Sequence, residues 1–177
     1  MAAPKVTISN NTTTGKLHLS WNKIAGAEKY EVWRATSKNG TYKKMLTTKN
    51  LTYTNTSAVA GYTYYYKVRA VCGSSYGEFS SVVYRTCDCA RPTVKITLSS
   101  NHPKLTWAKV NGADKYVIYR ATSKNGTYKK MLTTTKLSYT NTSAGRYTPY
   151  YYKITAVSSR SSCSVSSYSS IVGIVTG

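Results

Sequence analysis

The sequence predicts an all-β chain built as two sandwich domains in tandem. A fifteen-residue stretch, RATSKNGTYKKMLTT, fills residues 34–48 and returns unchanged at residues 120–134. The 86-residue offset extends outward: Trp21 maps to Trp107, Gly26 to Gly112, Tyr30 to Tyr116, Tyr53 to Tyr139, Tyr64 to Tyr150 and Val71 to Val157. That period is too long for a solenoid repeat and matches a small independent domain. The aromatic content is 18 Tyr and 3 Trp against a single Phe, and Tyr and Thr are strand formers. Leu- and Ala-rich helical heptads are absent. The expected domains are residues 1–88 and 89–177.

Each element has its own reason. Residues 5–9 (KVTIS) alternate and read as a first strand, followed by a polar turn at 10–15. Residues 16–21 (KLHLSW) put Leu17, Leu19 and Trp21 on one face. Residues 24–27 form a loop. Residues 29–34 (KYEVWR) put Tyr30 and Val32 on one face, and Glu31 and Trp33 on the other. Asn39-Gly40 is a strong hairpin signal, because both residues tolerate positive φ. Residues 41–47 are the returning strand and 51–54 a short one. The longest strand is 61–71, with Tyr64, Tyr66, Val68 and Ala70 inward and Tyr65, Lys67 and Arg69 outward. Residues 78–86 close the first half.

The second half repeats this order at 94–98, 104–107, 115–120, 127–133, 137–140, 150–157 and 169–175, with His102 in a polar loop before Pro103. Seven short strands per half fit a two-sheet sandwich. Residues 87–92 (CDCARP) are the linker, too short for free tumbling, so a stiff rod is expected.

These residues resemble the fibronectin type III domain, an immunoglobulin-like sandwich, twice over nearly the whole chain. Trp21 and Trp107 stand near the end of the second strand, where that family packs its core. Gly26, Ala27, Tyr30, Val32 and Gly112, Ala113, Tyr116, Ile118 carry its pattern at the third strand. The YTNT segment before the Tyr-rich strand is similar to the tyrosine corner, with Tyr64 and Tyr150 in its role. The stretches VWRATSKNGTYKK and IYRATSKNGTYKK are similar to modules of large surface or secreted proteins of Gram-positive bacteria. Those modules usually carry Asp where this chain has Asn55 and Asn141. No Arg-Gly-Asp occurs, so integrin binding is not implied. The resemblance implies a fold; one sandwich hosts many functions.

Charge is the lopsided feature: 25 Lys plus Arg face 5 Asp plus Glu, a formal +20. Such a field draws polyanions. Candidate partners are phosphate-bearing wall polymers, anionic glycans, a host surface, nucleic acid and anionic lipid. Spread along both halves, the charge also fits a plain Lys-rich surface. No apolar run approaches a membrane span, and the start lacks a secretory signal's apolar core. Both ends read as cuts from a longer extracellular or cell-surface chain, with neighbouring domains.

No residue set looks catalytic. His18 and His102 do not align under the repeat. The acids Glu28, Glu31, Glu78, Asp88 and Asp114 offer no glycosidase pair, and only Glu28 and Asp114 correspond. No phosphate loop, nucleophile elbow or zinc spacing occurs, so no enzyme, metal or cofactor is expected. The binding candidate is the outward face of strands three and six: Trp33, Tyr65, Lys67 and Arg69 in one half, Tyr119, Tyr151 and Lys153 in the other. Aromatics stack on sugars or bases, and cations hold phosphate or sulfate. The plainer reading is that Tyr and Lys decorate an exposed strand. The sequons at Asn55 and Asn141 read as accidental.

Four cysteines without a CxxC spacing make a weak zinc signal, and disulfides suit a surface protein better. The fibronectin type III layout implies that Cys163 pairs with Cys87 or Cys89, because its loop lies at the pole where the linker enters. The same layout puts Cys72 at the far end of the first domain. Cys72 is then left free or bridges two molecules. The expected role is a non-catalytic extracellular spacer that binds anionic polymers or glycans. The alternatives are a subunit of a self-assembling extracellular fibre and an accessory domain of a carbohydrate-active enzyme.

Overall fold

The structure is a computed structural model and describes residues 1–160 and 165–177. The regular elements among the described residues are all strands. The chain divides into two compact units, Met1–Asn11 with Gly15–Cys87, and Thr12–Thr14 with Asp88–Gly177.

The strands of the first unit are β1 (Val6–Asn10), β2 (Leu17–Trp21), β3 (Lys29–Ala35), β4 (Lys43–Thr48), β5 (Thr52–Asn55), β6 (Thr63–Cys72), β7 (Ser75–Tyr76) and β8 (Val83–Thr86). One sheet has the order β1-β2-β5. The other runs β4-β3-β6, with β7 and β8 placed in succession along the free edge of β6. Alternation buries one face of each sheet. Leu17, Leu19 and Trp21 on β2 meet Tyr30, Val32, Tyr64, Tyr66, Val68 and Ala70 from the facing sheet. Each such side chain contributes about 1.5–3 kcal/mol by leaving water. Gly26, at φ +74°, turns the chain into β3 in a conformation that costs a side chain dearly; Gly112 does the same at +77°.

The second unit has β9 (Val94–Ser99), β10 (His102–Trp107), β11 (Lys115–Ala121), β12 (Lys129–Thr134), β13 (Ser138–Thr140), β14 (Pro149–Val157) and β15 (Val172–Val175). Its sheets have the orders β9-β10-β13 and β12-β11-β14-β15. Leu105, Trp107, Tyr116, Ile118, Tyr150, Tyr152, Ile154 and Ala156 are buried.

Two expectations need correction. His102 is not in a loop: it opens β10 opposite Ser99. The turn is Ser100-Asn101, at φ 49° and 60°, the double positive φ of a type I′ hairpin. Pro103 tolerates the strand because it sits near its start, buried, at the position of Leu17. The first half also does not have seven strands: β7 (Ser75–Tyr76), ahead of the expected closing segment 78–86, makes eight, and the edge is broken between it and β8. The break has a local cause. The Ser80 hydroxyl accepts from the Val68 N–H at 3.0 Å and bends the edge away from regular pairing. Ser169 repeats this on the Ile154 N–H at 3.0 Å.

Candidate functional site

The face of β3 and β6 turned away from the core carries the candidate residues. Their side chains emerge there because strand residues alternate, and β3 pairs β6 with Trp33 opposite Lys67 and Glu31 opposite Arg69. The bulge where β3 meets β4 shifts the register between Val32 and Trp33, which sets Lys44 against Trp33. Phe79, from the broken edge, ties the group together. It meets Trp33 edge-on at 5.8 Å, with Lys67 Nζ 4.1 Å and the Arg69 guanidinium 4.9 Å from its ring centre. Lys67 also lies over Tyr42 at 4.7 Å, and Arg69 over Tyr76 at 3.9 Å. Each such contact is worth about 0.5–1 kcal/mol where exposed.

One carboxylate sits beneath this layer. Glu31 is 4% exposed and takes Arg69 Nε at 2.8 Å, Lys44 Nζ at 3.1 Å and Trp33 Nε1 at 3.1 Å. Burial pushes its carboxyl up. The hydrogen bonds from Lys44, Arg69 and Trp33 outweigh that and hold it below the usual glutamate range.

The second unit keeps a lysine on aromatic rings and lacks the buried carboxylate with its ion pairs. Lys153 Nζ lies 4.5 Å from the Tyr128 ring centre and 3.9 Å from that of Tyr168, and Tyr119 meets Tyr168 edge-on at 5.3 Å. Val117 and Thr155 stand where Glu31 and Arg69 stand. Trp33, Lys67 and Arg69 are thus brought together, as are Tyr119 and Lys153. Tyr65 and Tyr151 lie to one side: Tyr65 stacks on Tyr84 at 5.3 Å and 24°, and Tyr151 lies opposite Gly173. Sequence reading missed Tyr42, Phe79, Tyr128 and Tyr168. Tyr42 and Tyr128 were within reach, as the aromatic members of the repeated stretch. Phe79 and Tyr168 lie in segments with no alternation to give them a side.

The cysteines separate along β6. Cys72 ends that strand, half-buried, its thiol 3.7 Å from Glu28 Oε1. Cys87 follows Thr86, which pairs with Thr63 at the other end, and its thiol donates to the Gly15 carbonyl at 3.0 Å. Cys87 and Cys89 are both buried. Cys163 lies outside the described residues. No group of three His, Cys, Asp or Glu side chains fit for a metal occurs among the described residues. Nor is any helix among them long and apolar enough to cross a membrane.

A two-domain fibronectin type III segment of chicken tenascin superposes on 98% of this chain and 99% of its own, with 16% identity and a TM-score of 0.65. The fold is fibronectin type III, twice in tandem. The FN1–FN3 domains of chicken CNTN1 align over 99% of this chain and 68% of theirs, with 20% identity and a TM-score of 0.44. No family model matches the chain. An amylopullulanase of Thermoanaerobacter thermohydrosulfuricus is 40% identical over 58 residues, which are 32% of this chain and 4% of that protein.

Within each fibronectin type III domain two tyrosine hydroxyls of the long strand accept hydrogen bonds from the segment before it. The Val59 N–H donates to Tyr64 Oη at 3.1 Å, and the Gly145 N–H to Tyr150 Oη at 2.9 Å. Asn55 Nδ2 donates to Tyr66 Oη at 2.6 Å, and Asn141 Nδ2 to Tyr152 Oη at 2.8 Å. Both asparagines are fully buried, so neither sequon presents a side chain for glycosylation in the folded domain. Glu28 and Asp114 do matching work: Glu28 accepts the Gly73 N–H at 3.1 Å and Asp114 the Ser159 N–H at 2.6 Å.

Proposed function

We propose that this chain is a non-catalytic spacer of an extracellular protein and that its basic surface holds anionic polymers, such as phosphate-bearing wall polymers or acidic glycans. One observation carries the reading: five acids cannot neutralise 25 cations, and the buried Glu31 takes two of those cations to itself. The remaining positive field faces solvent on two domains whose interiors are closed. Binding to lipoteichoic acid or heparin, followed across a salt series, tests it. Affinity falls steeply with salt because condensed counterions are released. Trp33→Ala and Lys67→Glu weaken binding more than a change at Lys5, since they dismantle an ordered aromatic–cation layer. Equal loss at each lysine means diffuse charge, and no binding at low salt removes the adhesive half of the proposal.

A second reading is favoured by the 58-residue likeness to an amylopullulanase. In it the domains accompany a polysaccharide-degrading enzyme whose catalytic part is encoded elsewhere. Co-sedimentation with insoluble starch separates the readings: retention that is insensitive to salt favours the enzyme accessory.

A further inference from the structure

The two units are natural controls for each other, and among the cross-strand pairs at which they differ is one on the edge of the outer face. In the first, Tyr65 lies opposite Tyr84 and the two rings stack. In the second, Tyr151 lies opposite Gly173. A Cβ on Gly173 would stand 2.7 Å from Cδ1 and Cε1 of Tyr151, so the ring lies over the bare glycine backbone, on the ground that a side chain would claim. Beside it runs an open groove of about 570 Å³, lined by Tyr151, Gly173, Pro149, Ile171, Val175 and Lys124. Ile171 and Val175 are 40% and 59% exposed, an unusual amount of apolar surface to leave next to an aromatic ring. Lys124 is held in its turn by the hydrogen bond from Tyr128 Oη to its carbonyl at 2.9 Å. Among the described residues no cation stacks on Tyr151, whereas Lys153 is already spent on Tyr128 and Tyr168.

We infer that this groove of the second unit is a binding site for an acidic pyranose ring of a polysaccharide. The inference rests on the polyanion reading above and gives it a place and a chemistry. The C–H face of a pyranose packs on an aromatic ring with apolar walls, and Lys124 at the rim supplies a point charge for a ring carboxylate. The glycine matters because any larger residue would hold ground beside Tyr151, as Tyr84 does beside Tyr65.

The test is calorimetric titration of the full chain with a hexagalacturonate, and with maltohexaose as the neutral control. One site per chain is expected, filled by the acidic hexamer and at least tenfold more weakly by the neutral one. Gly173→Tyr rebuilds the tyrosine pair of the first unit and should cost tenfold or more in affinity. Tyr151→Ala should do the same, and Lys124→Gln should weaken the acidic hexamer alone. A thermal melt checks that each variant is folded. If the parent binds hexagalacturonate and all three variants bind it equally well, the groove is not the site, while the polyanion reading stands. If the parent binds maltohexaose as tightly, the acidic class is wrong. If the parent binds no polyanion at low salt, the polyanion reading falls and this inference with it.

Discussion

Asn55 and Asn141 stand where the similar bacterial modules usually carry Asp. Their side-chain nitrogens donate to buried phenols, and their oxygens accept from the hydroxyls of Ser57 and Ser143 at 2.9 Å. Asn55→Ala strands the Tyr66 phenol in the core and should cost about 1–3 kcal/mol, read by urea denaturation. Asn55→Asp should cost less at neutral pH. The phenol can turn to donate, and Arg34 Nη1 already stands 3.4 Å from Oδ1. An aspartate as damaging as alanine would mean that Arg34 gives no compensation. The YTNT motif was legible in sequence as a corner; its polarity was not, because the partner tyrosines lie on β6 and β14, eleven residues on.

At the scale of the element, the outer sheet face behaves as a self-packed layer in which cations lie on aromatics. Alternation in KYEVWR and TYYYKVRAVC gave the sidedness of Trp33, Lys67 and Arg69 directly. The hairpin at Ser100-Asn101 escaped because Ser-Asn is a weaker positive-φ signal than Asn-Gly and because Pro103 reads as loop. The broken edge escaped because a serine hydroxyl in place of a ladder bond leaves no periodic trace. Glu31 gives this face a pH dependence. Its folded carboxyl ionises below its ordinary pKa of about 4.3, so the unfolded chain binds the proton more readily. Its stabilisation is therefore whole above that pH and drains away as pH falls below it. Replacing Glu31 and Arg69 together by Val and Thr, as in the second unit, should flatten the acid side of the stability profile of the first. Thermal melts from pH 7 to pH 3 measure it, and an unchanged slope would assign the acid loss elsewhere.

At the scale of the whole molecule, the tandem fibronectin type III fold was legible almost entirely, since period, tryptophans and Tyr-rich strands each point to it. Each unit has its own core, so each should unfold on its own. Trp107→Ala should cost the second unit about 3–5 kcal/mol. The loss is one of packing, because Trp107 Nε1 has no hydrogen-bond partner to lose. Calorimetry should show one transition moving down and the other staying; two that move together would contradict separate cores. The fifteen identical residues of the β3–β4 and β11–β12 hairpins carry a further consequence, for refolding. Tethered neighbours meet at high effective concentration, and β12 repeats β4 residue for residue. A denatured chain can seat β12 against β3 in native register and close the wrong sandwich, a strand-swapped trap. The full chain should therefore refold with a slow misfolded fraction that vanishes when the second hairpin is recoded with different exposed residues.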